Sequence, residues 1–148
     1  MDTVGFVAYD EHATSHVHTR VEGWIERLEV RAVGDRVQKG DLLFVLYAPE
    51  ITIASSEIMR GYKRNDRYEI NTARLKLKNL GATDRQIEEM ARAKEPAQHL
   101  RVYAPQDGVV INMEAADGMY LKPDIRAISL SDPSSVWLLV DVFERDLA

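Results

Sequence analysis

The sequence predicts an α+β fold: a small β-sandwich of two similar halves, split by a helical insert and bordered by further strands. Three observations predict it. A short β-motif occurs twice. The stretch between the copies carries apolar residues at helical spacing. Both ends of the chain hold strand-forming runs. The first copy runs from Gly23-Trp24-Ile25 through Val30 to Gly34-Asp35-Arg36-Val37-Gln38-Lys39-Gly40-Asp41-Leu42-Leu43-Phe44-Val45-Leu46. The second runs from Gly108-Val109-Val110-Ile111 to Gly118-Met119-Tyr120-Leu121-Lys122-Pro123-Asp124-Ile125-Arg126-Ala127-Ile128-Ser129-Leu130. Setting Gly34 on Gly118 places Val37 on Leu121, Phe44 on Ile128 and Leu46 on Leu130. Such units cannot bury their apolar faces alone, so two of them are expected to pack on each other.

Taken in order, Val4-Gly5-Phe6-Val7-Ala8-Tyr9 reads as a strand. From Val17 to Ile25 the alternation is clean, with Val17, Thr19, Val21, Gly23 and Ile25 on one face, which predicts one half-buried strand. Val30 to Asp35 reads as its continuation into a turn, and Leu42 to Leu46 as a short apolar strand. Pro49 suits the first position of a helix, and Glu50 complements the helix dipole there. Ile51, Ala54, Ile58 and Tyr62 give that helix an inner stripe, ended by Gly61 and the polar Lys63-Arg64-Asn65-Asp66. Ile70, Ala73, Leu77 and Leu80 mark a second helix, stopped at Gly81. Thr83 with Gln86 forms a capping box for a third, with Ile87, Met90, Ala91 and the stem of Lys94 inward and Pro96 beyond its end. The insert therefore holds two or three short helices. Leu100 to Ala104 resumes the strands, and Ala104-Pro105 is expected beside Ala48-Pro49 at the base of the insert. After the second copy, Ser131-Asp132-Pro133-Ser134 leads to a last strand, Val136 to Phe143.

The 148 residues suffice for one domain or two small ones, and 45% hydrophobic with 29% charged is a soluble, folded balance. A net charge of -5 without a basic stripe argues against nucleic acid as a partner. Absence of cysteine excludes disulfides, thiolate metal sites and cysteine nucleophiles. No apolar run reaches the roughly 20 residues that span a bilayer. The two ends read as those of a fragment, since the last strand is laid down with no later partner.

The repeat resembles the biotinyl/lipoyl domain, in which two halves meet across a pseudo-twofold axis and a hairpin between them displays a modified lysine. Here no Met-Lys-Met-like tip exists, Lys39 belongs to the half-repeat itself, and the insert takes the hairpin's place. A lipoyl-like sandwich split by helices resembles the periplasmic adaptor subunits, or membrane fusion proteins, and among them the heavy-metal branch serving tripartite resistance-nodulation-division (RND) efflux pumps. The segments carrying the resemblance are Arg20 to Leu28, Gly34 to Asp41, Leu46-Tyr47-Ala48-Pro49-Glu50, Ala73-Arg74-Leu75 with Leu80-Gly81, Ala104 to Val110, and Val136 to Asp146. The resemblance implies a barrel-sandwich hybrid in three parts. Residues 16–48 and 100–131 would form the lipoyl-like halves, 49–99 the α-helical hairpin, and 1–15 with 132–148 the strands of an adjacent partial β-barrel, with Val4–Tyr9 near Val136–Phe143. It also implies a non-enzymatic adaptor, without cofactor, that bridges an inner-membrane pump and an outer-membrane channel for export of metal cations or drugs. The full-length protein would be periplasmic, associated with the inner membrane and self-oligomeric.

Candidate sites are few. His12, His16 and His18 could supply imidazoles to Zn(II) or Cu(II), although a solvated polar strand face is the default for such a cluster. Asp35 with Asp41, and Asp107 with Asp117, could be paired carboxylates, but each lies beside glycine where aspartate serves turns. Met59 and Met90 fall on helical apolar stripes and read as core. Gly61, Lys63, Arg64 and Arg67 form the expected tip of the hairpin, the docking surface that the resemblance implies for the outer-membrane channel. An Arg-x-x-x-Leu-x-x-x-x-x-x-Ser tip motif of other adaptor branches is absent. Two alternatives stand beside the adaptor: a biotin- or lipoyl-type carrier, and a periplasmic metal-binding module using the three histidines.

Overall fold

A computed structural model describes residues 13–132. His12 and the expected strands at 4–9 and 136–143 lie outside the described residues. Within them, β1 (Thr14–Val17), β2 (Gly23–Leu28), β3 (Arg36–Val37) and β4 (Leu42–Tyr47) precede α1 (Pro49–Lys63), α2 (Arg67–Asn79) and α3 (Asp84–Arg92). Then follow β5 (His99–Tyr103), β6 (Gly108–Met113), β7 (Tyr120–Leu121) and β8 (Ile128–Ser131). The insert thus holds three helices. The sandwich begins at Thr14, two residues before the boundary expected from the sequence.

Two four-stranded antiparallel sheets face each other, ordered β1-β8-β6-β3 and β5-β4-β2-β7. Exchanging β1 with β5, β8 with β4, β6 with β2 and β3 with β7 turns one order into the other, so the repeat is a pseudo-twofold. Each half lends its short strand to the other's sheet. Pairings obey the same symmetry: Val37 opposes Gly108 as Leu121 opposes Gly23. Hydrogen bonds repeat as well. The Gly34 N–H donates to the Val110 carbonyl at 2.8 Å, and the Gly118 N–H to the Ile25 carbonyl at 2.7 Å. Gly34 and Gly118 have φ of 101° and 78°, values at which a Cβ collides with its own backbone.

The expected strand from Val17 to Ile25 is two strands in different sheets. β1 pairs with β8, and β2 pairs with β4 and β7. Burial alternates without a break through the crossover, because the chain passes along one side of the core while changing sheets; Thr19 and Val21 are buried between the strands. Alternation records facing, not ladder pairing, which is why the crossover was invisible in it. Val30 to Asp35 is likewise a loop rather than a strand, folded around the Asp35 carboxylate, which accepts from the N–H groups of Arg31 and Ala32. Ala48 and Ala104 lie at opposite ends of the β4–β5 ladder instead of side by side. The Ala48 N–H donates to Gln98, and the Ala104 N–H to Asp41.

The helices share the core of the sheets. Ile51, Ile58, Leu77 and Ile87 are fully buried in one apolar cluster with Ile25, Phe44, Leu46, Leu100 and Ile128. Met90 joins it, Met59 is half-buried, and Lys94 lies beyond the end of α3, exposed instead of covering the core. Ser55, on the inner face of α1, fixes the returning segment: its hydroxyl donates to the Thr52 carbonyl and accepts from the Ala97 N–H at 2.9 Å. Ser55→Ala is expected to cost about 1–3 kcal/mol in urea unfolding, because it leaves that N–H unpaired inside the protein. Thr83 caps α3 as its sequence predicts, accepting from the Gln86 N–H at 3.1 Å. Gln86 does not complete the box. Its side chain instead bonds both the N–H and the carbonyl of Arg101, closing the outer edge of β5.

Candidate functional site: the hairpin and its tip

α1 and α2 run antiparallel from the end of the sandwich at which β4 stops. The 15 residues of α1 rise about 22 Å at 1.5 Å each, so the hairpin is a short projection. Its two helices approach tightly at Gly61, where a Cβ would stand 3.0 Å from Ile70 backbone and side chain. Gly61 is therefore buried packing and offers no surface to a partner, a correction to its expected place at the tip. Farther out, Asn65 turns the chain with φ of 51°, and Asp66 caps α2, its carboxylate accepting from the N–H groups of Tyr68 and Glu69. The sequence reads Asp66 as part of a polar stop; Glu69 three residues on, ahead of the apolar stripe from Ile70, is the local signal for its capping role.

Charge is distributed unevenly along the hairpin. Near the base, cations are engaged: Arg74 with Glu88 at 2.9 Å and Lys76 with Glu57 at 3.2 Å. One step outward, Arg60 meets Glu69 at 2.5 Å, and the hydrogen bond to that carboxylate raises the guanidinium pKa above its ordinary value. The Glu88 hydrogen bond does the same for Arg74, which also donates to the Tyr62 hydroxyl. Tyr62, expected on the inner stripe, is turned outward for this contact and is exposed. At the tip itself Lys63, Arg64 and Arg67 are all exposed, and among the described residues none has an ion-pair partner. An acidic chain thus ends its hairpin in three free cations, an arrangement suited to docking by charge.

The histidines lie elsewhere. His16 Nδ1 is 2.8 Å from the Ser129 hydroxyl, and His18 Nδ1 is 3.1 Å from the Pro123 carbonyl. Both border a cleft of about 410 Å³ that Arg20, Lys78 and Arg101 also line. Among the described residues no three His, Cys, Asp or Glu side chains are placed to hold a metal ion together. The aspartates serve backbone. Asp41 accepts from the Gln38 N–H within its own turn, whereas Asp107 and Asp117 reach across to Lys39 and Leu28 of the other half.

The position between the halves, where a carrier domain holds its lysine, is occupied by α1, α2 and α3. Known proteins share this arrangement. The model of the CusB barrel-sandwich hybrid domain matches residues 14–128. The cation efflux system protein CusB of Escherichia coli (strain K12) is 25% identical over 139 residues, covering 93% of this chain and 34% of CusB. The cobalt-zinc-cadmium resistance protein CzcB of Cupriavidus metallidurans is 24% identical over 176 residues, covering 97% of this chain and 32% of CzcB. The chain therefore spans about a third of the length of these curated relatives. The crystal structure of ZneB from Cupriavidus metallidurans superposes with a TM-score of 0.57 at 19% identity, over 86% of this chain and 64% of that one, a likeness of fold. Matched over most of its length, this chain belongs to the CusB barrel-sandwich hybrid domain family.

Proposed function

We propose that this chain is the sandwich-and-hairpin part of a non-enzymatic periplasmic adaptor. It would link an inner-membrane RND pump to an outer-membrane channel, in a self-oligomeric assembly that exports metal cations. The observation that carries the reading is the helical hairpin standing where a carrier would present its lysine, with Lys63, Arg64 and Arg67 at its end, none of them ion-paired among the described residues. Family membership and the efflux and resistance roles in the relatives' names support it. Among the described residues no helix is long and apolar enough to cross a membrane, so any anchoring would rest on other parts of the protein.

In this reading the continuous core gives the hairpin a rigid base. Rigid placement matters because a flexible arm would lose the entropy of ordering on every docking event. The test is resistance in cells. Deleting the gene should sensitise its host to divalent or monovalent metal cations, and the intact gene should restore growth. A version in which residues 49–97 are replaced by a short turn should not restore it. Full restoration by the hairpin-less version would contradict the proposal. Reversing the tip charges together (Lys63→Glu, Arg64→Glu, Arg67→Glu) should lower resistance at unchanged protein level, with only a small shift in melting temperature, since all three side chains are exposed and act on the helix ends by charge alone.

A further inference from the structure

A row of aromatic rings crosses the outer face of the β5-β4-β2-β7 sheet. Tyr120, Trp24, Tyr47 and His99 are direct register partners, one on each strand. Ring centroids are 4.7 Å apart for Trp24–Tyr120, 6.3 Å for Trp24–Tyr47 and 5.9 Å for Tyr47–His99. Trp24 is 46% exposed at the centre of the row. The fold does not demand these rings. The pseudo-twofold puts Arg36, Val109, Ser131 and Thr14 at the four corresponding places of the other sheet, which is built from the same pairings. The two rows match in pairing, though Ser131 of the second is fully buried, and only one of them is aromatic.

Carboxylates outnumber cations beside the row. Glu26 reaches His99 at 2.6 Å, and the carboxylates of Glu22 and Glu50 lie close enough to act on the Tyr120 hydroxyl. Partial covering of the ring, then Glu22 and Glu50, push the Tyr120 hydroxyl above its ordinary pKa. The cations that border the row, Arg27 and Arg101, are already held by Glu29 and Glu89. Exposed tryptophan and tyrosine are the side chains most enriched where proteins bind partners. Aromatic faces with carboxylates suit a guanidinium, which stacks on an indole and forks onto a carboxylate. Neighbouring rings are inclined by 50° to 67°, so they offer separate faces for individual cations instead of a flat platform for a sugar.

We propose that the Tyr120–Trp24–Tyr47–His99 row is a docking surface for an arginine-bearing basic segment of a partner protein. The chain has two tryptophans, Trp24 and Trp137, so a Trp137→Phe variant of the full chain leaves Trp24 as the only indole reporter. Short peptides of alternating glycine and arginine, and of alternating glycine and glutamate, are the probes, with an N-acetylglucosamine tetramer as a third arm. The arginine peptide should quench Trp24, and added salt should weaken it. By anisotropy of the labelled peptide, Trp24→Ala should lower affinity about tenfold, and Glu22→Gln with Glu26→Gln several-fold with a shallower salt dependence. Val109→Ala on the twin sheet should change nothing. Equal binding of the glutamate peptide, or unchanged affinity in Trp24→Ala, overturns the proposal. So does Trp24 quenching by the glycan but not the arginine peptide, quenching by raised protein concentration alone, or absence of any response.

Discussion

Gly23→Ala is expected to destabilise the protein by about 3 kcal/mol or more, a large effect for one methyl group. The added Cβ would stand 2.2 Å from the Tyr47 carbonyl oxygen and 3.0 Å from Leu46 Cγ. Neither neighbour can retreat. Tyr47 is held in the β2–β4 ladder opposite Trp24, and Gly23 itself is held on its other side by Leu121 of β7. The pseudo-twofold extends the expectation. Gly108 corresponds to Gly23, and there the Cβ would stand 2.7 Å from the Ser131 carbonyl, so Gly108→Ala should be damaging but less so. Gly34→Ala meets nothing within 4 Å and suffers only from its φ of 101°, at about 1–2 kcal/mol. Urea unfolding of the three variants should rank them in that order. Equal effects at Gly23 and Gly34 would show that close strand approach is not what fixes glycine at 23.

Phe44→Ala should cost about 3–5 kcal/mol, a large share of the roughly 5–15 kcal/mol that holds a domain of this kind together. Phe44 is completely buried at the middle of β4, between its partners Leu28 and Val102. It belongs to the cluster that also includes Ile58 and Leu77 of the hairpin, so the cavity weakens both parts. One cooperative transition is therefore expected by circular dichroism for wild type and variant alike. A helical signal lost in a separate, unshifted step would contradict the shared core. Leu75→Ala, at a site 61% exposed on α2, should stay within about 0.5 kcal/mol.

Much of the fold was legible because several local signals agreed. Pro49, Gly81 and Thr83 mark helix ends by backbone chemistry that does not depend on the rest of the molecule, and the structure places ends there. The two copies of the β-motif are legible for the same reason: the turn glycines and the apolar spacing are local. What the sequence hid is pairing. Period-two alternation from Val17 to Ile25 shows which side faces the core, but a chain that changes sheets keeps that side. Gln86 misled in a related way, since a capping box is judged over four residues and Arg101 lies 15 residues on. Gly61 misled because the same residue type serves a turn and a close helix contact. The tip cations Lys63, Arg64 and Arg67 were legible as surface. That Arg60, Arg74 and Lys76 farther down the hairpin are paired, while those three have no ion-pair partner among the described residues, required the helices' relative placement. The aromatic row was hidden for the same reason, as Trp24, Tyr47, His99 and Tyr120 are scattered over almost a hundred residues and meet only through register.

The adaptor reading places the tip, not the sandwich, against an outer-membrane channel. A photoreactive amino acid at Arg64, in the full-length protein in its own cells, tests that placement most directly, with Val33, an exposed loop residue at 60% exposure, as the second site. Ultraviolet cross-linking from Arg64 is expected to capture a channel identifiable by mass spectrometry, and Val33 is expected not to. A channel captured from Val33 alone, or from neither site in cells that resist the metal through this protein, would contradict it.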